Sequence, residues 1–193
     1  MTKNQQVLTV RIRPMRIEDL EQVQSIDQIS FSSPWPENAY RFELLENRRA
    51  LSWVAEIGAE PGDHPDEPSS NPLVVGVVVV WLIVDEVHIA TLAVHPDYRG
   101  LRIGRQLVAE ALKSGIQKDA VLATLEVRAQ NAPAQVLYRH FGFEVVGRRL
   151  RYYKDNNEDA ILMTASDLGQ GYLEWLNDGY RDPWAPPQSL PEV

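Results

Sequence analysis

Apolar and polar residues alternate, or apolar residues run continuously, in seven segments of the chain, and this pattern predicts β-strands. The segments are residues 7–13, 51–58, 73–84, 86–94, 120–129, 143–153 and 159–165. The last two are separated only by the polar sequence KDNNE, so we expect them to form a hairpin. Residues 59–72 are acidic, rich in proline and without an apolar pattern, which predicts a long loop.

Apolar residues at helical spacing predict four helices between these strands. They cover residues 15–31, a segment from the turn at 32–40 to about residue 49, residues 102–117, and a segment that Asn131 caps and Gly142 ends. Residues 166–193 are expected to form one short helix and a proline-rich tail. The order of the elements predicts an α/β fold with a mixed sheet and helices on both faces.

The composition limits the kinds of site that the chain can carry. Its 193 residues favour one domain, and no run approaches the roughly 18 apolar residues of a membrane span. Because the N-terminus also lacks the apolar core of a signal peptide, we expect a cytoplasmic protein. The absence of cysteine excludes disulfides, thiolate metal sites and covalent catalysis through a thiol. The four histidines are scattered, so we expect no metal.

The formal net charge of -8 argues against binding to a nucleic acid, because an acidic surface repels a phosphate backbone. The same charge would attract a basic or amine-bearing partner. It would equally serve solubility alone, so charge by itself leaves both interpretations open.

A basic, glycine-containing loop, YRGLRIGR, precedes the predicted helix 102–117. The first turn of a helix has free N–H groups and a partial positive charge, and glycine lets an anion approach the backbone closely. Gly100 and Gly104 are accompanied by three cations, Arg99, Arg102 and Arg105. The spacing alone fits a phosphate site and an ordinary solvated turn equally well, since neither a P-loop nor a dinucleotide fingerprint is present.

The flanking residues decide between these alternatives. LAVHPDYRGLRIGRQLVAEAL (92–112) resembles the acetyl-CoA motif of the GCN5-related N-acetyltransferases, the GNAT superfamily, whose core is Arg/Gln-x-x-Gly-x-Gly/Ala. Arg99 and Gly104 match its ends, and Arg102 replaces the middle glycine. LEVRAQNAPAQVLYRHFGFEVVGRRLRYY (125–153) resembles the second half of that fold. FSSPWPENAY and YYKDNNEDAILM are similar to the RimI-like, ribosomal-protein-alanine branch, which acetylates protein N-terminal amines.

The resemblance implies a GNAT domain over residues 1–165, with a mostly antiparallel sheet of about seven strands, and a C-terminal extension over 166–193. It also implies acetyl-CoA as co-substrate, no metal, and direct transfer to an amine without an acyl-enzyme. The residues expected at the cofactor are Leu92, Ala93 and Val94 against pantetheine and the thioester, and Arg99, Gly100, Leu101, Arg102, Ile103, Gly104 and Arg105 around the pyrophosphate. If Arg102 takes right-handed helical angles, its Cβ costs nothing and its amide is kept.

Two residues in the second half of the resemblance are expected to move protons. Glu126 matches the general base of the RimI pattern, although the sequence also allows an ion pair with Arg128 or exposure at a sheet edge. Tyr138 lies on an apolar helix face, where the pattern alone favours a core tyrosine, and the resemblance makes it the proton donor to the CoA thiolate. Asn131 matches a cofactor-contacting asparagine, while capping a helix would explain it equally.

The acceptor is expected to be the N-terminal amine of a protein or peptide, such as a ribosomal protein. Deprotonating an α-amine at neutral pH costs only about 1 kcal/mol, against about 4–5 kcal/mol for a lysine side chain. Trp35, Tyr152 and Tyr153 are the residues expected to line the peptide groove, with plain aromatic packing as their alternative. His88 is a rival base, although a lone histidine on a strand is more often simply accommodated. Acetylation of a small amine or lysine, and a non-catalytic acyl-CoA-binding module, remain the alternative functions.

Overall fold

A computed structural model of the chain describes residues 9–58 and 72–184. The predicted loop 59–72, except for Pro72, and the predicted proline-rich tail after Trp184 therefore lie outside the described residues. Seven strands form a single sheet in the described part. They are β1 (Val10–Pro14), β2 (Ala50–Ile57), β3 (Leu73–Ile83), β4 (Glu86–Val94), β5 (Leu122–Arg128), β6 (Glu144–Tyr153) and β7 (Glu158–Ala165).

The spatial order of the strands is β1-β2-β3-β4-β5-β7-β6. All neighbouring pairs are antiparallel except β4 and β5, which are parallel. The strand β3 lies near the middle of the sheet and has a nearly continuous run of buried valines, because both of its faces are covered.

Two layers of helices cover the sheet. The helices α1 (Leu20–Ser30) and α2 (Ala39–Leu45) pack over β2, β3 and β4 on one face, around a small core that includes Val23, Ile26 and Tyr40. The helices α3 (Ile103–Ile116), α4 (Ala132–His140) and α5 (Gln170–Asn177) lie over the larger core on the other face. The predicted α/β fold, with seven mostly antiparallel strands and helices on both faces, is confirmed.

The first two helices are shorter than their apolar periodicity predicted, because local side chains delay the start of α1 and end α2 early. Residues Ile17–Asp19 form a 3-10 turn, and the α-helix begins only at Leu20. The carboxylate of Asp19 holds this turn, since it accepts hydrogen bonds from the guanidinium of Arg13 and from the backbone N–H of Arg16. The helix α2 ends at Leu45 rather than near residue 49, where Asn47 accepts from the N–H of Arg49 and turns the chain.

The segment after β7 packs against the α3–α4 side of the molecule. Tyr172 and Leu176 of α5 are buried, and the phenol of Tyr172 donates a hydrogen bond of 2.7 Å to the carbonyl of Phe141. Trp184 lies over Gly142, whose φ of +75° and missing Cβ allow the indole to approach. The described part of the extension therefore anchors the end of α4.

Candidate active site

The sheet opens at its centre, where β4 and β5 diverge. Their parallel pairing ends at Ile89 and Leu125, whereas beyond that point β4 continues to pair only with β3 and β5 only with β7. A bulge at Ala90 accompanies the divergence, since Val79 faces Thr91 while Val80 faces Ile89. The backbone of Leu92, Ala93 and Val94, predicted to contact a cofactor, therefore borders a cleft with Glu126 on its opposite side.

The bulge also changes which side chains of β4 face the helices α1 and α2. His88 and Thr91 lie on that face, because the extra residue shifts the alternation by one position. Ala93 belongs to the core under α1, whereas Leu92 and Val94 pack toward α3. Because the side chains of Leu92, Ala93 and Val94 point to opposite faces of the sheet, the three residues share only their backbone as a surface toward the cleft.

The predicted anion loop runs directly into α3, at the end of β4. Gly100 has a φ of +81° with open space around it, and the side chain of Arg99 donates a hydrogen bond of 3.1 Å to the carbonyl of Val94. Ile103 is buried in the core, so only its backbone can contact a ligand. The side chain of Leu101 is exposed. The N–H groups at the start of α3 have no preceding helical carbonyl to pair with.

Arg102 departs from the expected backbone conformation. It is the residue that precedes α3, with φ 61° and ψ 16°, which is the left-handed region rather than the right-handed helical region. A residue with a Cβ is strained in this region, and glycine is not. The family's glycine at this position is thereby explained, and the expectation that Arg102 adopts helical angles at no cost is wrong.

Gly104 lies in the first turn of α3, where space is limited. A Cβ built at this position would lie 3.4 Å from Cδ2 of Leu137 on α4. Arg105 follows it, and its N–H already bonds the carbonyl of Arg102 at 3.1 Å. A methyl group at this position would therefore touch α4 at van der Waals distance, which fits a motif that ends in glycine or alanine.

Glu126 points to the α1–α2 face of the sheet, beside the cleft, and its side chain is 16% exposed. Its Oε1 lies 3.0 Å from Nη1 of Arg149, and its Oε2 lies 3.4 Å from Nε2 of His88. The alternative ion pair with Arg128 does not form, because that guanidinium binds Asp155 and Glu158 instead. Glu126 is therefore a mostly buried carboxylate, with a partner from β4 on one side and a partner from β6 on the other.

Tyr153 of β6 lies near Glu126, and Tyr138 of α4 lies near Tyr153. Tyr138 is buried against Phe143, and burial raises the pKa of its phenol, as does the nearby Tyr153. Burial also raises the pKa of Tyr153 to about 12, with Arg128 acting in the opposite direction. Both phenols consequently hold their protons at neutral pH. Asn131 caps α4 through a hydrogen bond of 3.2 Å from the N–H of Ala134.

The loop between α1 and α2 carries Trp35, whose position is set by a buried carboxylate. Asp27 of α1 accepts a hydrogen bond of 2.7 Å from the N–H of Trp35 and one of 2.6 Å from the phenol of Tyr40. Burial raises the pKa of Asp27, while these two hydrogen bonds act to lower it. The rings of Trp35 and Tyr40 are 5.0 Å apart. Trp35 is thus fixed on the α1–α2 side of the molecule.

A polar clasp joins that loop to the turn between β6 and β7. Arg128 lies two residues after Glu126 on the same face of β5, and it donates to Ser32 at 3.1 Å and to Asp155 at 2.8 Å. The hydroxyl of Ser32 donates to Asp155. The guanidinium also lies 3.9 Å above the ring of Tyr153, and Tyr152 packs edge-on against Tyr153. We call Ser32, Arg128 and Asp155 the clasp.

The structure thus places Tyr153 near both Glu126 and Tyr138, and the anion loop at the end of β4, the strand on the other side of the cleft. Sequence reasoning missed Arg149, the clasp and Asp27, and it did not connect His88 with Glu126. These contacts join residues between 8 and 123 positions apart. The contact between His88 and Glu126 follows from the parallel pairing of β4 and β5, which places His88 opposite Thr124.

Within residues 9–58 and 72–184, no three His, Asp or Glu side chains gather closely enough to hold a metal ion. In the same part of the chain no helix has both the length and the apolar character needed to cross a bilayer.

Residues 20–143 match the acetyltransferase (GNAT) family, and the chain belongs to this family. A relative from Bacillus subtilis (strain 168), provisionally named a ribosomal protein bS18-alanine N-acetyltransferase, is 38% identical over 152 residues. The match covers 79% of this chain and 92% of the relative.

Two solved structures share the fold. The ribosomal-protein-S18-alanine N-acetyltransferase from Escherichia coli superposes with a TM-score of 0.69 at 26% identity, over 82% of this chain and 94% of the other. NAA60 of Arabidopsis thaliana, in complex with acetyl-CoA, gives a TM-score of 0.70 at 23% identity, over 82% and 98% of the two chains. The cleft and anion loop described above therefore belong to a GNAT acetyltransferase.

Proposed function

We propose that this protein transfers an acetyl group from acetyl-CoA directly to the N-terminal α-amine of a protein or peptide. The observation that carries the proposal is the position of Glu126, mostly buried near the point where β4 and β5 diverge, with Tyr153 near it and Tyr138 near Tyr153. The named relatives support this acceptor, since the Bacillus subtilis and Escherichia coli proteins carry names for N-acetylation of a ribosomal protein at alanine.

The chain's residues fit acetyl-CoA. The free N–H groups at the start of α3, with Arg99, Arg102 and Arg105 around them, supply donors and positive charge for the pyrophosphate. The unpaired backbone edge at Leu92, Ala93 and Val94 supplies amide groups along the cleft for the pantetheine arm and the thioester carbonyl. Asn131 is the remaining candidate contact. The bound co-substrate would supply the activated acetyl group, so no enzyme nucleophile is required.

Proton transfer is assigned to two side chains. Glu126 accepts the proton of the acceptor ammonium, directly or through a water, and Arg149 holds its carboxylate in place. Tyr138 donates a proton to the departing thiolate, and burial, which raises the pKa of its phenol, keeps that proton in place until then. The nitrogen loses two protons as the ammonium becomes an amide. Glu126 accepts the first and passes it to solvent, the second leaves when the tetrahedral intermediate collapses, and Tyr138 protonates the thiolate and regains its proton, so that one proton is released overall.

The acceptor groove is assigned to the space between the α1–α2 loop and β6. Trp35 forms one wall, Tyr152 and Tyr153 form the other, and the clasp closes the end near Arg128. A basic protein N-terminus would be attracted by the net charge of -8. Proteins of that kind are made in the cytoplasm, where we expect the enzyme to act.

The experiment compares acetylation rates on four acceptors: a short peptide with a free N-terminal alanine, the same peptide with a blocked N-terminus, a lysine-containing blocked peptide, and a panel of small amines. We expect turnover only with the first. Glu126→Gln should lower kcat by about 10²-fold or more, and Tyr138→Phe should slow turnover while acetyl-CoA still binds. Turnover only with small amines or lysine would replace the proposed acceptor, and binding of acetyl-CoA without any CoA release would indicate a non-catalytic module.

A further inference from the structure

Asp27 of α1 is a buried acidic side chain that the proposed proton transfers do not use. It is 1% exposed. In the described part of the chain its partners are two hydrogen-bond donors, the N–H of Trp35 and the phenol of Tyr40, and no cation is among them. A buried carboxylate without a cation is costly, and only its hydrogen bonds offset that cost. Removing one of these hydrogen bonds should therefore have a large local effect.

The loop segment at Trp35 is stiff and is held to α1 at one point. Pro34 and Pro36 flank Trp35 and have no N–H, so Trp35 supplies the single backbone donor of this tripeptide. That donor bonds Oδ2 of Asp27 at 2.7 Å. Pro36 also restricts the residue before it to extended backbone angles. One hydrogen bond therefore sets the position of a segment that has little freedom of its own.

Tyr40 of α2 joins the same carboxylate to the central sheet. The phenol is 2% exposed and donates a hydrogen bond of 2.6 Å to Oδ1 of Asp27. Burial and Asp27 raise the pKa of this phenol, and the hydroxyl of Thr91 on β4, the residue after the bulge, acts in the opposite direction from beside it. The ring of Tyr40 lies 5.0 Å from the ring of Trp35. Tyr40 thus lies between the loop that carries Trp35 and the strand that borders the cleft.

We propose that Asp27 and Tyr40, here called the buried pair, are positioning residues for the acceptor, because they hold Trp35 in a fixed place relative to β4. The inference rests on the proposed function, in which Trp35 is a wall of the acceptor groove. Neither member of the pair touches the acceptor, since both are buried under the loop. The clasp supports the same loop at Ser32, but near the surface, where solvent weakens polar contacts. The buried pair is therefore the stronger support.

The first test removes one hydroxyl and has a matched control on the other face of the sheet. Tyr40→Phe deletes the hydrogen bond to Asp27 but keeps the ring beside Trp35. Tyr172→Phe deletes an equally buried hydroxyl, which donates to the carbonyl of Phe141 at 2.7 Å. We expect Tyr40→Phe to lower kcat/KM for the alanine peptide by about tenfold, the equivalent of one hydrogen bond to a charged group.

The control and the second substrate distinguish positioning from a general loss of stability. The KM for acetyl-CoA should not change in Tyr40→Phe. Tyr172→Phe should keep wild-type kinetics for both substrates, although thermal unfolding should show a similar loss of stability in the two variants. Wild-type kcat/KM for the peptide in Tyr40→Phe, or the same loss of kcat/KM in both variants, would overturn the proposal.

A double-mutant cycle tests whether Tyr40 acts through Trp35. Trp35→Ala removes the wall itself, so adding Tyr40→Phe to it should lower kcat/KM for the peptide by less than about twofold more. A further tenfold loss would contradict the proposal. If Tyr40→Phe does not fold, Asp27→Asn replaces it in every assay with the same expectations, because a carboxamide has one acceptor oxygen for the two donors.

Fluorine NMR of protein labelled with 5-fluorotryptophan tests the buried pair without any substrate. The signal of Trp35 is assigned by its loss in Trp35→Phe. Tyr40→Phe should shift or broaden this signal. Tyr172→Phe should instead shift the signals of Trp175 and Trp184, whose rings lie 5.2 and 4.6 Å from that of Tyr172. An unchanged Trp35 signal in Tyr40→Phe would show that the pair does not hold the indole, and the proposal would fail.

The kinetic and spectroscopic tests also separate this inference from the proposed function. If the wild-type protein does not acetylate peptides, the proposed function fails, whereas the fluorine spectra still show whether the buried pair holds Trp35. If the wild-type protein acetylates peptides and Tyr40→Phe does so with the same kcat/KM, only the inference fails.

Discussion

Replacing Arg102 separates the backbone geometry of the anion loop from its charge. Arg102 has left-handed angles, φ 61° and ψ 16°, which cost a residue with a Cβ roughly 1–2 kcal/mol. In Arg102→Gly this strain is removed, while the unfolded chain gains freedom that offsets roughly 0.5–1 kcal/mol. The net expectation is a gain in the free energy of unfolding of about 0.5–1 kcal/mol. Arg102→Ala removes the same guanidinium but keeps the Cβ and the strain.

Thermal unfolding and acetyl-CoA titration of the two variants give the answer. For a domain of this size, the expected gain raises the Tm of Arg102→Gly by about 1–4 °C relative to Arg102→Ala. Both variants lose the same exposed charge, so both should weaken acetyl-CoA binding equally and by no more than about fivefold. Gly100→Ala is the mirrored control, because it adds a Cβ at a φ of +81° and should lower the Tm. An Arg102→Gly variant less stable than Arg102→Ala would refute the reasoning.

Three further predictions concern packing, the groove and acid stability. Gly142→Ala should destabilise the protein by more than about 1 kcal/mol in thermal unfolding, because its Cβ would lie 2.6 Å from an indole carbon at a φ of +75°, whereas Gly171→Ala, in open space on α5, should not. Arg128→Met opens the clasp and should raise the KM for the peptide but not for acetyl-CoA in steady-state assays. Burial raises the pKa of Asp19, but the hydrogen bonds and charges of Arg13 and Arg16 together outweigh it and lower the pKa below its ordinary 3.8. The ion pair of Arg13 and Asp19 therefore stabilises the fold fully above pH 3.8, and the stabilisation is lost as the pH falls through the lowered pKa of Asp19. Arg13→Ala should lower the free energy of unfolding in urea by about 3–5 kcal/mol at neutral pH and by less in acid.

Much of the fold follows from local sequence patterns. The seven strands and the order of the long helices follow from apolar periodicity. Each strand or helix buries one face or both faces, and the spacing of its apolar residues shows which faces are buried. The start of α1 and the end of α2 do not follow, since they are set by hydrogen bonds of the Asp19 and Asn47 side chains, which periodicity does not reveal. The conformation of Arg102 was predicted wrongly, because an arginine gives no sign of left-handed angles.

The candidate site was predictable to a different degree. Glu126 and Tyr138 were assigned their roles through resemblance to a family, since the pattern alone left Tyr138 as a core residue, and the same resemblance decided for the anion loop what its spacing left open. The partners of Glu126 were not found, because they depend on the register between β4 and β5 and on the position of β6. The clasp joins Ser32 to Asp155 across 123 residues, a contact that only the folded sheet creates.

The central claim, acetylation of a peptide α-amine with Glu126 as base, is tested most directly by one mass-spectrometric measurement. A peptide with a free N-terminal alanine and an internal lysine is incubated with acetyl-CoA and either the wild-type protein or Glu126→Gln, over a range of pH, and the product is fragmented to locate the acetyl group. We predict one acetyl group on the α-amine, and a loss of rate in Glu126→Gln that is largest at low pH, where the amine most needs a base. An acetyl group on the lysine alone, or equal rates for the two proteins at every pH, would contradict the claim.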